Sequence, residues 1–339
     1  MEEAGQCMKA AYTRYGPPDV IEVDDLDKPV PRENEVLIKV RAASVNPLDW
    51  KTMTGGPYIV RLLLGLRKPK IKQLGVDVAG QVEAVGRNVT QFKPGDAVFG
   101  TCRGAFAEYA CTCGSAKMMK SALAVKPDNV TFEQAACAPI AGLSALQGLR
   151  DKGRIRPGQT VLINGAAGGV GTFAVQIAKS FGTDVTGVCS TRNVDMVRAI
   201  GADRVIDYTQ EDFTTSGQRY DVLFDAVGNH PLSACRRVLN PNGILIMVGA
   251  PSDALSILAR LTGALVLSRF VSQRLVIFLA RSNTEDLTIV GQLLATGKVT
   301  SVIDRRFSLS EVPEALRYLE EGHARGKVVI IIEQPNNET

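Results

Sequence analysis

Residues 161–171 read VLINGAAGGVG, an apolar run that ends in a glycine-rich turn. A strand, a turn of this kind and a helix together bind phosphate. The first backbone N–H groups of a helix lack intrahelical partners and carry partial positive charge. The residues after the turn support a helix, because Val170, Phe173, Ala174, Ile177 and Ala178 recur at spacings of three and four. Gly168 lets a phosphate approach the backbone, and Gly171 lets the helix pack closely on the strand. Ala166 stands where the first glycine of G-x-G-x-x-G is expected. A small side chain fits there if φ stays negative. The expected phosphate contacts are Ala167, Gly168, Gly169 and Val170. A bare glycine triplet also fits a plain tight turn. The flanking strand and helix favour a dinucleotide site.

The next strand should say which dinucleotide. NAD sites usually end it with Asp or Glu, which holds the ribose 2′-hydroxyl. Here Val185 to Cys189 runs into Ser190-Thr191-Arg192, and the next carboxylate is Asp195, inside the following helix. A hydroxyl and a guanidinium suit a 2′-phosphate, so NADPH is the expected cofactor. The alternative for Arg192 is a solvated residue at a helix start. Tyr208 ends the strand-like VIDY and either stacks near the adenosine or simply packs.

The elements around these residues alternate. Strand patterns at 160–164, 184–189, 204–206, 220–226 and 243–249 are separated by helical patterns at 169–181, 194–200 and 231–239. This order predicts an α/β region with a parallel sheet covered on both faces. The first 125 residues read mainly as strands and turns, including 35–45, 80–85, 96–100 and 105–111. Thr131 and Gln134 form a capping box for a helix that Pro139 and Gly142 should break in two. Near the end come a helix at 285–295, a strand at 299–303, a helix at 311–321 and a strand at 327–332.

Composition narrows the function. The chain has 339 residues, 45% hydrophobic and 22% charged, with a net charge of +4 and no basic block. Nucleic acid is not an expected partner. Seven scattered cysteines do not suggest a disulfide framework. With no secretory pattern at the N-terminus, a reducing, cytoplasmic setting is expected; organellar or peripheral membrane association stays open. Segment 254–280 is apolar, but Arg260, Arg269 and Arg274 interrupt it. It predicts no transmembrane span, but a buried helix and an edge strand at a subunit interface. With two histidines and no paired cysteine knuckle, no metal site is expected. Cys137 lies in an alanine-rich helix and reads as core.

The stretches SVNPLDWK, GVDVAGQVEAVG, FKPGDAVFG, IAGLSALQGL, NGAAGGVG, CSTRN, GADRVIDY, YDVLFDAVG and GHARGKVVI occur in this order along nearly the whole chain. In them the sequence resembles the zinc-independent quinone oxidoreductases and enone reductases of the medium-chain dehydrogenase/reductase superfamily. The resemblance implies a central Rossmann domain, 128–280. It also implies a GroES-like β-rich catalytic domain built from 1–127 and 281–339, a cofactor cleft between the two, and a homodimer. Zinc-dependent relatives carry a ligating Cys near Asn46 and Gly-His-Glu near 75–77, where this chain has Gly-Val-Asp.

The implied reaction is metal-free hydride transfer from NADPH to a quinone or to the C=C of an α,β-unsaturated carbonyl. The other reading is an NADPH-binding sensor or membrane-surface protein with little turnover. Asn46 is the leading catalytic and cofactor-facing residue; its alternative is to cap the helix begun at Pro47. Tyr58 is a candidate donor to the substrate. Ser144 matches a family Ser or Thr near the nicotinamide ribose, with a helix cap as the alternative. Gly228 and Gly249 end later strands and pass close to the cofactor. Lys327 either reaches into the cleft or is solvated.

Overall fold

The computed structural model describes residues 6–56, 61, 65–70, 72–112, 121–249, 262–263 and 271–332. Tyr58 and most of 254–280 lie outside the described residues. The chain forms two compact units. One comprises Met1–Ile140, Ser282–Ala295 and Ile303–Thr339, the other Ala141–Arg281 and Thr296–Val302.

The first unit is β-rich. Its main sheet has seven strands: β3 (Val36–Ser44), β4 (Asp77–Val85), β5 (Ala97–Thr101), β6 (Tyr109–Cys111), β7 (Ala122–Val125), β14 (Ile303–Ser308) and β15 (Lys327–Ile331). Six run in the order β14-β15-β3-β4-β5-β7, and β6 also pairs with β3. The C-terminal strand therefore pairs antiparallel with β3, joining both ends of the chain in one sheet. A separate hairpin joins β1 (Gln6–Tyr12) and β2 (Ile21–Asp27). The core is built on Ile38, Val40, Val78, Val98, Phe106 and Val328, none of them exposed. Two helices belong to this unit, α1 (Pro47–Thr54) and α2 (Phe132–Ala136); α3 (Pro139–Leu146) begins at its last residues and continues into the second unit.

The second unit is a parallel sheet. Its strands are β8 (Thr160–Asn164), β9 (Asp184–Cys189), β10 (Arg204–Asp207), β11 (Tyr220–Asp225), β12 (Leu239–Met247) and β13 (Arg274–Ile277). They lie in the order β10-β9-β8-β11-β12-β13. Helices α4 (Gly169–Ser180), α5 (Val194–Ala199) and α6 (Leu232–Arg237) connect them. From β8 the chain winds outward to β9 and β10, then returns to β11 on the other flank. Ligands of such sheets bind where the winding reverses, at the carboxyl ends of the strands.

The box of Thr131 and Gln134 forms in both directions, at 3.2 and 3.0 Å. Other expectations from sequence are corrected. Gly142 does not break the second helix; it lies inside α3, which passes directly into a π-helical turn at Gln147–Gly153. The expected strand at 299–303 is not one. Val299 is buried, and Thr300 is tied instead to the side chain of Gln176 by two hydrogen bonds, at 2.7 and 2.9 Å. The strand starts only at Ile303, on an edge whose exposed Arg305 and Arg306 hide its pattern. By its contacts the first compact unit runs to Ile140, and α2 packs on β3, β4 and β5. Among the described residues no helix is long and apolar enough to cross a membrane.

Candidate active site

In the first unit, chemistry-bearing residues meet at the ends of β3 and β4 and the start of β15. Asp77, Asn46 and Lys327 are at most 3% exposed. Asp77 begins β4, Lys327 begins β15, and Asn46 follows β3 as the N-cap of α1. The Asp77 carboxylate accepts from Asn46 Nδ2 at 2.9 Å, Ser44 Oγ at 2.8 Å, the Ile140 N–H at 3.0 Å and Lys327 Nζ at 3.4 Å. Lys327 Nζ also donates to Asn46 Oδ1 at 2.7 Å and to the Val45 carbonyl at 3.2 Å.

These partners fix the Asn46 amide. Its oxygen must face the ammonium, which only donates, and its nitrogen must face the carboxylate. The second amide proton goes to the Ser44 carbonyl at 3.3 Å. Asn46 therefore has no amide proton left for a ligand. At the start of α1 the Asp49 carboxylate accepts from the Asn46 N–H at 2.8 Å, which holds the turn into the helix. Lys327 is neither solvated nor extended toward a ligand, since its three donors all have protein partners.

Burial raises the Asp77 carboxyl, and Lys327, Asn46, Ile140 and Ser44 oppose that rise. Burial pushes Asp49 up to about 7, against N–H donation from Asn46 and Gly75, with the charge of Asp77 adding to the rise. Cys137 is fully buried, and burial pushes its thiol up to about 12, which suits core rather than nucleophile.

The second unit carries the glycine loop. Gly168 is the N-cap of α4, and Gly168, Gly169 and Val170 are partly exposed. Two glycines there do different work. A Cβ at Gly171 would lie 2.0 Å from the Gly165 carbonyl, so packing demands that glycine. A Cβ at Gly168 would meet nothing nearer than that carbonyl at 3.4 Å. Its open space at a helix N-terminus is what an approaching phosphate needs.

Next to the loop, the Tyr208 N–H donates to the Cys189 carbonyl at 3.0 Å, bringing the tips of β9 and β10 together. Ser190, Arg192 and Tyr208 thus share one edge; Arg192 and Tyr208 are exposed. Sequence spacing missed Asp207 here. It ends β10 rather than β9 and accepts from Thr209 N and Oγ1 at 3.0 and 2.8 Å. Thr191 also donates to it, and these bonds hold its carboxyl below the usual range. The signal was available in VIDYT, had the parallel pairing of β9 with β10 been assumed. Ser144 sits inside α3 and is 7% exposed, so it caps nothing. Gly228, with φ of +80°, and Gly249 follow β11 and β12 at the same sheet edge. Tyr58 lies outside the described residues.

A GroES-like sheet holding both ends of the chain, with a doubly wound parallel sheet between them in sequence, defines a medium-chain dehydrogenase/reductase. Residues 32–144 match the alcohol dehydrogenase GroES-like domain and residues 200–330 the zinc-binding dehydrogenase domain. The chain is 36% identical over 344 residues to the chloroplastic quinone-oxidoreductase QR1 of Triphysaria versicolor, covering 96% of this chain and 99% of that protein. It is 33% identical over 339 residues to the chloroplastic NADPH-dependent alkenal/one oxidoreductase of Arabidopsis thaliana, covering 95% and 79%. The solved quinone oxidoreductase from Coxiella burnetii superposes with a TM-score of 0.84 at 32% identity, covering 97% of this chain and 100% of that one. The chain belongs to the quinone oxidoreductase and enone reductase family of this superfamily.

The second domain description names zinc, and the residues where relatives bind it do not fit that ion. Asn46 and Asp77 are bonded to each other, and the Lys327 ammonium 3.4 Å from Asp77 supplies the positive charge there. A divalent cation at that place would meet this ammonium. Among the described residues no group of three or more His, Cys, Asp or Glu could hold a metal.

Removing one partner of a buried ion pair strands the other charge, at a cost of about 3–5 kcal/mol. Lys327→Met is therefore expected to lower unfolding stability by about that amount, and Asp77→Asn in the Lys327→Met background to restore part of it. Denaturant unfolding of the four proteins in this cycle measures the coupling. A Lys327→Met protein as stable as the parent would show that the ion pair holds nothing together.

Proposed function

We propose that the protein is an NADPH-dependent oxidoreductase that reduces quinones or the C=C of α,β-unsaturated carbonyls without a metal. The open cradle at Gly168, beside the Ser190–Arg192 turn, carries this reading. The residues fit the cofactor. Ala167, Gly168, Gly169 and Val170 face its phosphates, and Ser190 and Arg192 its 2′-phosphate. Tyr208 lies against the adenosine. Asp207, which Thr191 and Thr209 hold in its charged form, is the feature that opposes a 2′-phosphate, and the exposed Arg192 at the same edge is the one that favours it. The relatives' names point the same way, to quinones and to NADPH-dependent alkenal or enone reduction.

When bound, NADPH supplies the hydride from C4 of its nicotinamide. The chain must orient the acceptor and donate hydrogen bonds to the oxygen on which charge develops. Asn46 acts by holding the turn into α1, since its amide protons are used internally. Tyr58 stays the proposed side-chain donor to substrate. Ser144, Gly228 and Gly249 are the further proposed cofactor contacts of the second unit, and in the first unit Lys327 is proposed to act through Asn46 and Asp77 rather than on the cofactor itself.

We also propose a homodimer through the outer edge of β13. Among the described residues this strand ends the parallel sheet, and Ile277 and Leu279 there are 44% and 89% exposed. A monomer mass by light scattering at micromolar concentration would remove this assembly. The proposed compartment is a reducing one, cytoplasmic or organellar, in keeping with an odd number of cysteines scattered along the chain.

The activity is tested by mixing the protein with NADPH and a panel of enones and quinones. Loss of nicotinamide absorbance is expected with at least one of them. Tight NADPH binding without turnover on any acceptor would turn the reading toward a non-enzymatic binder. In the same assay Arg192→Ala should weaken NADPH about tenfold and leave NADH nearly unchanged, as for one lost guanidinium–phosphate contact. Equal binding of both cofactors by parent and variant would overturn the placing of the 2′-phosphate.

A further inference from the structure

We propose that Asp225 is the positioning residue that sets the cofactor-facing loops of the parallel sheet in register. This rests on the reading that a dinucleotide binds at that sheet edge. Asp225 ends β11, the strand between β8 and β12, and is 1% exposed. In register it stands beside Asn164 on one flank and Met247 on the other. Its Oδ1 accepts from Asn164 Nδ2 at 2.9 Å, from the Gly228 N–H at 2.9 Å and from the Val227 N–H at 3.2 Å. Its main-chain oxygen accepts from the Val248 and Gly249 N–H groups, both at 3.0 Å.

One residue thus holds three loops. Asn164 immediately precedes the glycine loop, and its main-chain oxygen accepts from the Ala226 N–H at 3.1 Å. Its Nδ2 donates a second bond to Asn229 Oδ1 at 3.0 Å. The turn after β11 is held through Val227 and Gly228, and the turn after β12 through Val248 and Gly249. The loops also pack without slack. A Cβ at Gly165 would lie 2.6 Å from the Val227 side chain, and one at Gly249 would lie 2.3 Å from the Ala226 carbonyl.

The chemistry calls for a carboxylate. Three N–H donors converge on one oxygen, and an ionised carboxyl only accepts. An amide at 225 can keep its own oxygen on these donors but loses the charge that strengthens all three bonds. In a buried site that weakening loosens the loops the donors belong to. Asp225 therefore contacts no cofactor itself; it acts through Asn164, Gly228 and Gly249.

The test compares the parent with Asp225→Asn, Asn164→Ala and the exchange Asn164→Asp with Asp225→Asn. NADPH affinity is read by nicotinamide fluorescence, and loop order by backbone amide hydrogen exchange without cofactor. In Asp225→Asn, Kd and KM for NADPH should rise about tenfold with kcat changed much less, as for the loss of charge assistance in bonds that hold the loops. Val227, Gly228 and Gly249 should exchange faster. The double exchange should recover part of both effects, because it rebuilds an amide–carboxylate contact between β8 and β11. If Asp225→Asn does not fold, Asn164→Ala carries the test, with a smaller rise in Kd and faster exchange at Gly165 and Ala166. Parent-like affinity and exchange in a folded variant overturn the proposal. If the parent itself does not bind NADPH, the reading of the site fails, and unchanged exchange in the variants then overturns the loop tie separately.

Discussion

A buried carboxylate must be surrounded by donors, and in each unit of this protein that demand organises the site region. Asp77 draws donors from β3, the turn into α1, the start of α3 and β15. None of these groups is close to all the others in sequence; the Asp77–Lys327 contact spans 250 residues. Leaving any one donor unmet, or the carboxylate unpaired, costs more than the pair contributes beyond an apolar substitute. The network thus serves specificity of arrangement more than bulk stability. It permits one relative placement of the strand ends, and α1 starts from that placement.

The glycine loop shows the same separation between what packing requires and what a ligand requires. Gly171 is needed whether or not anything binds, because the Gly165 carbonyl occupies the place of its Cβ. Gly168 is not needed by its neighbours in that way. A glycine that the fold does not demand, at the N-cap of a twelve-residue helix, leaves the room that the proposed phosphate contact uses. Ala166 is fully buried beneath the turn, where a methyl group packs against the space left open by Gly187. This accounts for an alanine at the position where the common pattern has its first glycine.

Much of the parallel sheet was legible because its signals are local. The strands at 160–164 and 184–189 and the helix at 169–180 have the bounds, or nearly so, that apolar runs and three-four spacing indicate. The box of Thr131 and Gln134 was equally local. What was not legible depends on partners distant in sequence. Val299 is apolar and β-branched, so it read as strand, but Gln176 ties the next residue elsewhere. Asn46 read as a free donor because Asp77 and Lys327, which occupy it, lie 31 and 281 residues away. Asp207 was passed over because the usual rule looks along one strand, and its carboxylate arrives from the neighbouring one. Asp225 lay unremarked inside the strand pattern at 220–226, because its partners Asn164 and Gly249 belong to other strands' ends.

The fixed ammonium of Lys327 also bears on which acceptors suit the site. A metal ion polarises a carbonyl directly and stabilises the localised charge of an alkoxide. Here the positive group near Asn46 has its three donors committed to Val45, Asn46 and Asp77. It cannot act on a substrate oxygen without breaking that network. On the proposed reading, stabilisation of the developing anion falls to hydrogen-bond donors other than Lys327. Such donors suffice best when the acceptor spreads the incoming charge itself. A quinone becomes an aromatic quinolate, and an enone becomes a conjugated enolate. A simple ketone has no such delocalisation and places the whole charge on one oxygen. The chemistry left by the buried pair thus favours conjugated acceptors over the interconversion of alcohols and ketones.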